Sequence, residues 1–283
     1  MAYLHCRSNS LPSKSHPEID GVENHLRRLK SSEAASTSAT SVLKKLASLR
    51  DLQESINGLI QLPSVHQIIS HKQGENWTDE ILDRSLELVD LCGFSRDVVI
   101  STKEAVQELE SSIRRNRCET AVKADINTYD SSRKKINKRV NKYVKNLKSF
   151  KQTLIPDTDC DLKAIAMMLK ETEALGFSVL KSILTLVSGA KGRSTQRSWS
   201  LLSKFTQGSR MHSEEDQESS NEDSFSLKIE KSLKSKDDMI NVQNILKQLK
   251  ASEMTIQELE EGLETFFRSL VKTRVSLLNV LSH

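Results

Sequence analysis

The chain has 283 residues, a formal net charge of +4 at pH 7 and only 4% aromatic residues. Its core has to come mostly from Leu, Ile and Val, and its nine glycines and four prolines are too few for the frequent turns of a sheet protein. This composition argues against a sheet-rich fold and predicts an all-α protein, an elongated bundle of long amphipathic helices.

The first 17 residues are predicted to be a disordered tail, because they carry two prolines and several serines but no apolar run. They also lack the apolar core of a secretory signal, so we expect a protein that is not secreted. The longest apolar stretch, residues 177–190, contains a lysine and is shorter than the roughly 20 residues of a membrane-spanning helix. We therefore expect a cytoplasmic protein that is at most peripheral at a membrane.

A helical bundle is predicted over residues 18–188. Apolar residues recur at helical spacing in a first helix from Glu18, a second over about residues 40–62, and a short third that follows Pro63. From about Thr78 the pattern continues, but Gly93 and the sequence STKE at residues 101–104 predict a break and hence two helices.

A regular apolar stripe begins at Tyr129 and has steps of seven, four, three, four, three and four residues. Such a stripe is typical of a coiled-coil seam that packs on a partner helix, and Pro156 ends it. Another helix is predicted to start after the acidic residues at 157–159. The stripe residues are Tyr129, Ile136, Val140, Tyr143, Leu147, Phe150 and Leu154.

Residues 189–226 break the helical pattern. This serine-rich segment holds five basic residues in its first half and six acidic residues in its second. It is predicted to be a disordered charged linker, because it cannot bury enough apolar surface to offset the cost of ordering. Over residues 227–283 we predict two helices that pack back on the bundle, the second starting at a capping box formed by Thr255 and Glu258.

The predicted helix over residues 131–151 carries nine basic residues and no acidic one. Helical spacing places five lysines opposite the apolar stripe, with Arg139 and Lys148 at the flanks of that outer face. One interpretation is a solvated surface, and a second is a contact with anionic lipid headgroups. Nucleic acid is the least favoured, because the aromatic residues lie on the apolar side. The five lysines are Lys134, Lys135, Lys138, Lys142 and Lys145.

The N-terminal sequence RSNSLP has the form Arg-Ser-x-Ser-x-Pro, in which a phosphorylated second serine is the group that 14-3-3 proteins bind. We therefore predict a phosphorylation site and partner motif, while a chance match in a serine-rich tail is the alternative. A weaker second candidate, RSWS, lies in the linker. The residues of the two motifs are Arg7, Ser8, Ser10, Pro12, Arg197 and Ser200.

No catalytic, metal-binding or cofactor-binding motif is recognisable. The sequence has no phosphate-binding glycine loop, no nucleophile elbow, and no HExxH or paired-cysteine metal motif. The four cysteines lie far apart and are read as scattered reduced thiols. We therefore predict a protein that is not an enzyme and has no cofactor.

Five sequence blocks resemble the BYPASS-related plant family, which is catalogued mainly as a domain of unknown function. The resemblance implies a helical protein with a role in root and shoot development and no established catalytic residues. It favours a non-catalytic interaction or regulatory protein whose partner is unknown, and the alternative is a peripheral membrane-associated protein. The blocks are HCRSNSLPSKSHP (5–17), LRRLKSSEAAST (26–37), LQESINGLIQLP (52–63), LDRSLELVDLCG (82–93) and SRKKINKRVNKYVKNLK (132–148).

Overall fold

The computed structural model describes residues 16–33, 38–71, 76–115, 119–147, 160–189 and 242–282. Within these ranges the chain forms seven α-helices and no strand, which confirms the predicted all-α class. The helices are α1 (Pro17–Glu33), α2 (Ala39–Gln61), α3 (Pro63–Ser70), α4 (Asn76–Arg115), α5 (Glu119–Asn146), α6 (Cys160–Ser188) and α7 (Val242–Ser282). Most of the predicted N-terminal tail and all but the first residue of the predicted linker lie outside the described residues.

Four of the helices enclose the core. Helix α7 packs against α2 on one side and α4 on the other, and α6 closes the ring by packing against both α2 and α4. Residue pairs give the directions: Gln53 meets Thr273 and Asn57 meets Ser276, so α2 and α7 are parallel. Helix α4 runs antiparallel to α7, because Lys103 meets Glu260 whereas Arg274 meets the carbonyl of Leu82.

Helices α4 and α6 run in the same direction. Arg84 meets Glu173, and the side chain of Leu88 packs against the backbone of Gly176. The core is therefore a four-helix arrangement with two neighbouring helices up and two neighbouring helices down. Its interior is aliphatic with a single large aromatic side chain, Phe266, among the fully buried residues.

The other three helices cover the outside of this ring. Helix α1 lies across α2 and α6, helix α3 caps one end between α2, α6 and α7, and helix α5 lies on α4 and α6. Ser38 caps the start of α2 by accepting a hydrogen bond from the N–H of Ser41 at 3.2 Å. Leu62 then adopts an extended conformation between α2 and α3, as expected for a residue before proline.

Helix α4 is one continuous helix, so the predicted break near residues 93–104 is wrong. Thr102 Oγ1 donates to the carbonyl of Val98 at 2.8 Å, which satisfies the hydroxyl inside the helix and not as a cap. Gly93 lies beside the ring of Phe267, where even an added Cβ would stay 3.9 Å away. Burial on α6 and α7 along the whole helix outweighs the weak local signals to stop.

Helix α7 is also continuous, and the predicted helix start at Thr255 is wrong for the same reason. The hydroxyl of Thr255 donates to the carbonyl of Ala251 at 3.2 Å, so the residue lies in mid-helix. Ile245, Leu249 and Ser252 extend the buried stripe N-terminally without interruption. The apolar stripe of α5 is described as far as Leu147, and its predicted continuation at Phe150 and Leu154 lies outside the described residues.

Two glycines provide a matched test of the α2–α7 packing. A Cβ on Gly262 would lie 2.7 Å from Cδ2 of the buried Leu46, whereas a Cβ on Gly21 would meet nothing within 4 Å. We expect Gly21→Ala to raise the free energy of unfolding by about 0.5–1 kcal/mol through helix propensity. Gly262→Ala should lower it by about 1 kcal/mol, because overpacking exceeds that gain. Urea unfolding measures both, and equal effects would contradict this packing.

Candidate functional site: the basic face of helix α5

Helix α5 is amphipathic and attaches to the bundle by one side only. Its inner side is buried against α4 and α6 through Val122, Ile126, Tyr129 and Val140. Its outer side carries five exposed lysines, spread over about three turns and about 17 Å of helix. We call these residues the basic face: Lys134, Lys135, Lys138, Lys142 and Lys145.

An aromatic pair attaches the C-terminal part of α5 to α4. The rings of Phe94 and Tyr143 stack with centroids 3.8 Å apart and an angle of 6° between their planes. The partial burial of Tyr143 raises the pKa of its hydroxyl, and the nearby carboxylates of Asp90 and Glu87 add to this shift. As predicted, the aromatic residues of α5 face the bundle and are not available to stack on bases.

Arg139 is occupied by contacts within the fold. Its Nη2 donates to Asp97 Oδ2 of α4 at 3.3 Å, and its guanidinium lies 5.2 Å from the ring centroid of Phe94. About half of the side chain stays exposed, so the ion pair is largely solvated and adds little to stability. Arg139 therefore lies at the edge of the basic face, and Lys148 lies outside the described residues.

The five lysines of the basic face have no counter-ion, in contrast to a cation such as Lys103, which bridges α4 and α7 by pairing with Glu260 at 2.7 Å. No lysine of the basic face pairs with any carboxylate in the described parts of the chain. Like charges at this spacing repel one another, so the face is electrostatically suited to an anionic surface.

Arg133 is a buried arginine among the nine basic residues of the stretch 131–151. It is only 7% exposed and occupies the seam position between Tyr129 and Ile136. Its two terminal nitrogens are buried and find no hydrogen-bond partner among the described residues. The sequence did contain a sign of this burial. The first step of the apolar stripe is seven residues long, and a seam with alternating steps of four and three residues has one further inward-facing position within such a step.

A second polar cluster lies in the interior of the four-helix core. Gln53 Nε2 donates to Thr273 Oγ1 at 2.9 Å, and Arg274 Nη1 donates to both the carbonyl of Leu82 and the hydroxyl of Ser85. Apolar periodicity did not identify these residues, because it follows the apolar side chains of a helix and passes over polar side chains that face the same core. Gln53 and Thr273 are buried, Ser85 and Arg274 are half-buried, and the contacts of the cluster join α2, α4 and α7.

Glu173 of α6 completes this interior cluster. Arg84 Nε donates to Glu173 Oε2 at 3.1 Å, and both side chains are almost fully buried. Burial raises the pKa of Glu173 to about 8, while the guanidinium of Arg84 acts in the opposite direction. The adjacent cavity has a volume of about 30 Å³, enough for one or two water molecules but not for an organic substrate.

The described part of the chain has no feature typical of a membrane-spanning helix or of a metal site. None of the helices in the described ranges is both long and apolar enough to cross a bilayer. The same ranges contain no group of three or more His, Cys, Asp or Glu side chains arranged to hold a metal ion. Both predicted phosphorylation motifs lie outside them: Arg7, Ser8, Ser10 and Pro12 in one, Arg197 and Ser200 in the other.

The fold and the surface together define a class: an all-α bundle with a closed four-helix core and a peripheral basic helix. The family model described as Protein BPS1 matches residues 45–280, which include α3 to α6, nearly all of α7 and most of α2. The chain therefore belongs to the BPS1 family, in agreement with the resemblance to the BYPASS-related plant group. No curated protein and no solved structure matches the chain.

The raised pKa of Glu173 predicts how stability depends on pH. Between about pH 4.5 and pH 8 the folded state keeps a proton that the unfolded state has lost, so the free energy of unfolding falls as pH rises. Glu173→Gln removes this titration and keeps an acceptor for Arg84. We expect the difference in unfolding free energy between variant and parent to grow across this range in chemical denaturation.

Glu171→Gln is the control for this experiment. Glu171 lies on the same helix and pairs with Lys30, but its side chain is 37% exposed. Its replacement should leave the pH dependence of stability as it is in the parent. A Glu173→Gln profile parallel to that of the parent would show that Glu173 is ionised throughout this range.

Proposed function

We propose that this protein is a non-catalytic interaction protein in plant developmental regulation, and that it presents the basic face of α5 to an acidic surface on a protein partner. The observation that carries the proposal is the set of five exposed lysines without a counter-ion in the described fold. Membership of the BPS1 family, with the BYPASS-related group's link to root and shoot development, supports the biological setting.

A non-catalytic role is supported by the chemistry of the interior. The cluster around Glu173 has titratable groups, but each is engaged by a neighbouring helix and the cavity beside it is the size of water. A catalytic carboxylate needs room for a substrate and a path to it. Buried polar pairs of this kind instead fix how helices are aligned.

The position of α5 also favours a role in binding. The helix lies outside the four-helix core, so the basic face is presented by a rigid support while contributing little to the packing. Rows of exposed lysines steer acidic partners by long-range attraction, and such association weakens strongly as salt increases. A cytoplasmic location is part of the same proposal.

Neutralising the lysines of the basic face offers a direct test of the proposal. In the intact protein, the fourfold change Lys134→Gln, Lys138→Gln, Lys142→Gln and Lys145→Gln should abolish salt-sensitive binding of acidic partners. The melting temperature should change little, because exposed charges contribute little to stability. Proximity labelling in plant cells and binding of a poly-glutamate peptide in vitro are the two measurements.

The matched control changes four exposed lysines on other helices to Gln: Lys44, Lys181, Lys247 and Lys272. This variant has the same net charge as the fourfold variant of α5. Equal partner loss in the two variants would mean that net charge alone, and no particular face, attracts the partners. A large drop in melting temperature for the α5 variant would show that the lysines are buried against an acidic part of the fold.

The alternative function is peripheral binding to anionic lipid through the same face. Each Lys near an anionic membrane contributes on the order of 1 kcal/mol, so five aligned lysines suffice for reversible binding. Vesicles with and without phosphatidylserine separate the two proposals. Binding to these vesicles that is lost in the fourfold α5 variant, without binding to poly-glutamate, would favour lipid over protein.

Regulation by phosphorylation is the second part of the proposal. Phosphate on Ser10 adds about −1.5 to −2 charge, which an Arg cluster of a 14-3-3 protein can bind. Arg7 lies three residues before Ser10, as basophilic kinases prefer. A second site at Ser200 would engage the other groove of a dimeric 14-3-3 protein.

A peptide experiment tests the motif. A peptide of residues 3–17 phosphorylated on Ser10 should bind a 14-3-3 protein at least tenfold more tightly than its unphosphorylated form. Pro12→Ala should weaken this binding, because proline directs the chain out of the groove. Fluorescence polarisation measures all three affinities, and equal affinity with and without phosphate would refute the motif.

A further inference from the structure

We propose that residues 214–223 of the chain's own acidic segment bind the basic face of α5 intramolecularly. This inference uses the basic face defined above, but it does not require that an external partner exists. The observation behind it is that the five exposed lysines of α5 have no counter-ion within the described fold and that the buried guanidinium of Arg133 has no hydrogen-bond partner there.

The acidic segment and the basic face carry opposite charges in similar numbers. Residues 214–223 contain six carboxylates and no cation, while the basic face carries five ammonium groups over about 17 Å. Ten residues of extended chain span about 33 Å, so the segment can cover the whole face. The acidic residues are Glu214, Glu215, Asp216, Glu218, Glu222 and Asp223.

Helix α6 ends at the level along α5 at which the basic face begins. Glycine at 189 ends α6 in the left-handed region, with φ of 66°. From the pairs Arg84–Glu173, Phe94–Tyr143 and Arg139–Asp97, the end of α6 is at the level of the middle of α5. Arg133 lies about one turn beyond that end. The segment that follows α6 therefore starts at about the level of Arg133 and of the first lysines of the basic face along α5.

The two stretches of chain that connect the acidic segment to α6 and to α7 are of a length that allows the segment to reach the basic face. Twenty-four residues, 190–213, separate α6 from the acidic segment, and eighteen residues, 224–241, separate it from α7. Flexible chains of these lengths have end-to-end distances of about 23–27 Å. A connection of this length keeps a tethered segment near the bundle at an effective concentration in the millimolar range.

The rest of the connecting chain does not fit the face. Between residues 189 and 210 it carries five basic residues and no acidic one, so the lysines repel it. The division of the segment into a basic first half and an acidic second half thus selects which part binds. An acidic partner or an anionic lipid surface then has to displace residues 214–223, which lowers its apparent affinity.

The first measurement is zero-length cross-linking of the intact chain with a carbodiimide, which joins a lysine amine to a carboxylate in contact with it. We expect cross-links from the basic face to residues 214–223, and their loss at high salt. A mixture of isotope-labelled and unlabelled protein shows whether the links form within one chain. The proposal is overturned if the links are intermolecular, or if these lysines link only to other carboxylates.

The second measurement is the affinity of a poly-glutamate peptide for two variants of equal charge. One variant neutralises the six acids of residues 214–223 to Gln or Asn and should bind the peptide about tenfold more tightly than the parent. The control neutralises six exposed acids elsewhere and should gain much less. Equal gains would overturn the proposal. The control residues are Glu23, Glu54, Asp79, Asp83, Glu258 and Glu261.

The two measurements separate this inference from the proposed function. Intramolecular cross-links without any binding of poly-glutamate or of phosphatidylserine vesicles by either variant would support the internal contact and refute the external role. Strong external binding without cross-links to residues 214–223 would do the reverse. In both cases the full chain is used, so the folded bundle is present throughout.

Discussion

The structure depends on the packing of α7 between α2 and α4. A 41-residue amphipathic helix is not stable alone in water, and its long buried stripe, from Ile245 to Val280, is covered only when both neighbours are in place. Each of those neighbours in turn makes its most extensive helix contact with α7. Helix α5, which makes little contact with α7, is not part of this packing.

The buried polar pairs explain why these helices pack in one register. Leucine-rich stripes fit one another almost equally well after a shift of one turn, so aliphatic packing alone discriminates poorly between registers. A shift of one turn would separate Gln53 from Thr273 and Arg84 from Glu173 and leave buried polar groups without partners. That penalty is larger than the net gain from each pair when it is formed. The interior cluster is therefore best understood as a device for alignment, with an acid-dependent component at Glu173.

The helices were predictable from apolar spacing, because residues such as Leu46, Leu49 and Ile56 repeat along a stripe that any helical partner would bury. The breaks predicted at Ser101 and Thr255 failed, because a serine or threonine followed by glutamate also fits mid-helix, as at Thr255, whose hydroxyl donates to the preceding turn. The stack of Phe94 on Tyr143 was out of reach, since it joins positions on two helices whose register no local pattern fixes. Arg133 was missed because a cation in a basic stretch is by default assigned to the surface.

The separation of stability from charge is what makes α5 suitable for recognition. Lysines in the four-helix core would have to be paired and desolvated, and their loss would unfold the protein. On α5 they stay in water, so their number and spacing can change without disturbing the packing of α2, α4, α6 and α7. Arg133 is the one point where the two are linked, because its buried guanidinium needs an anion that the described fold does not supply. An acidic group that reached it from the connecting segment would stabilise the attachment of α5 and occupy its surface at the same time.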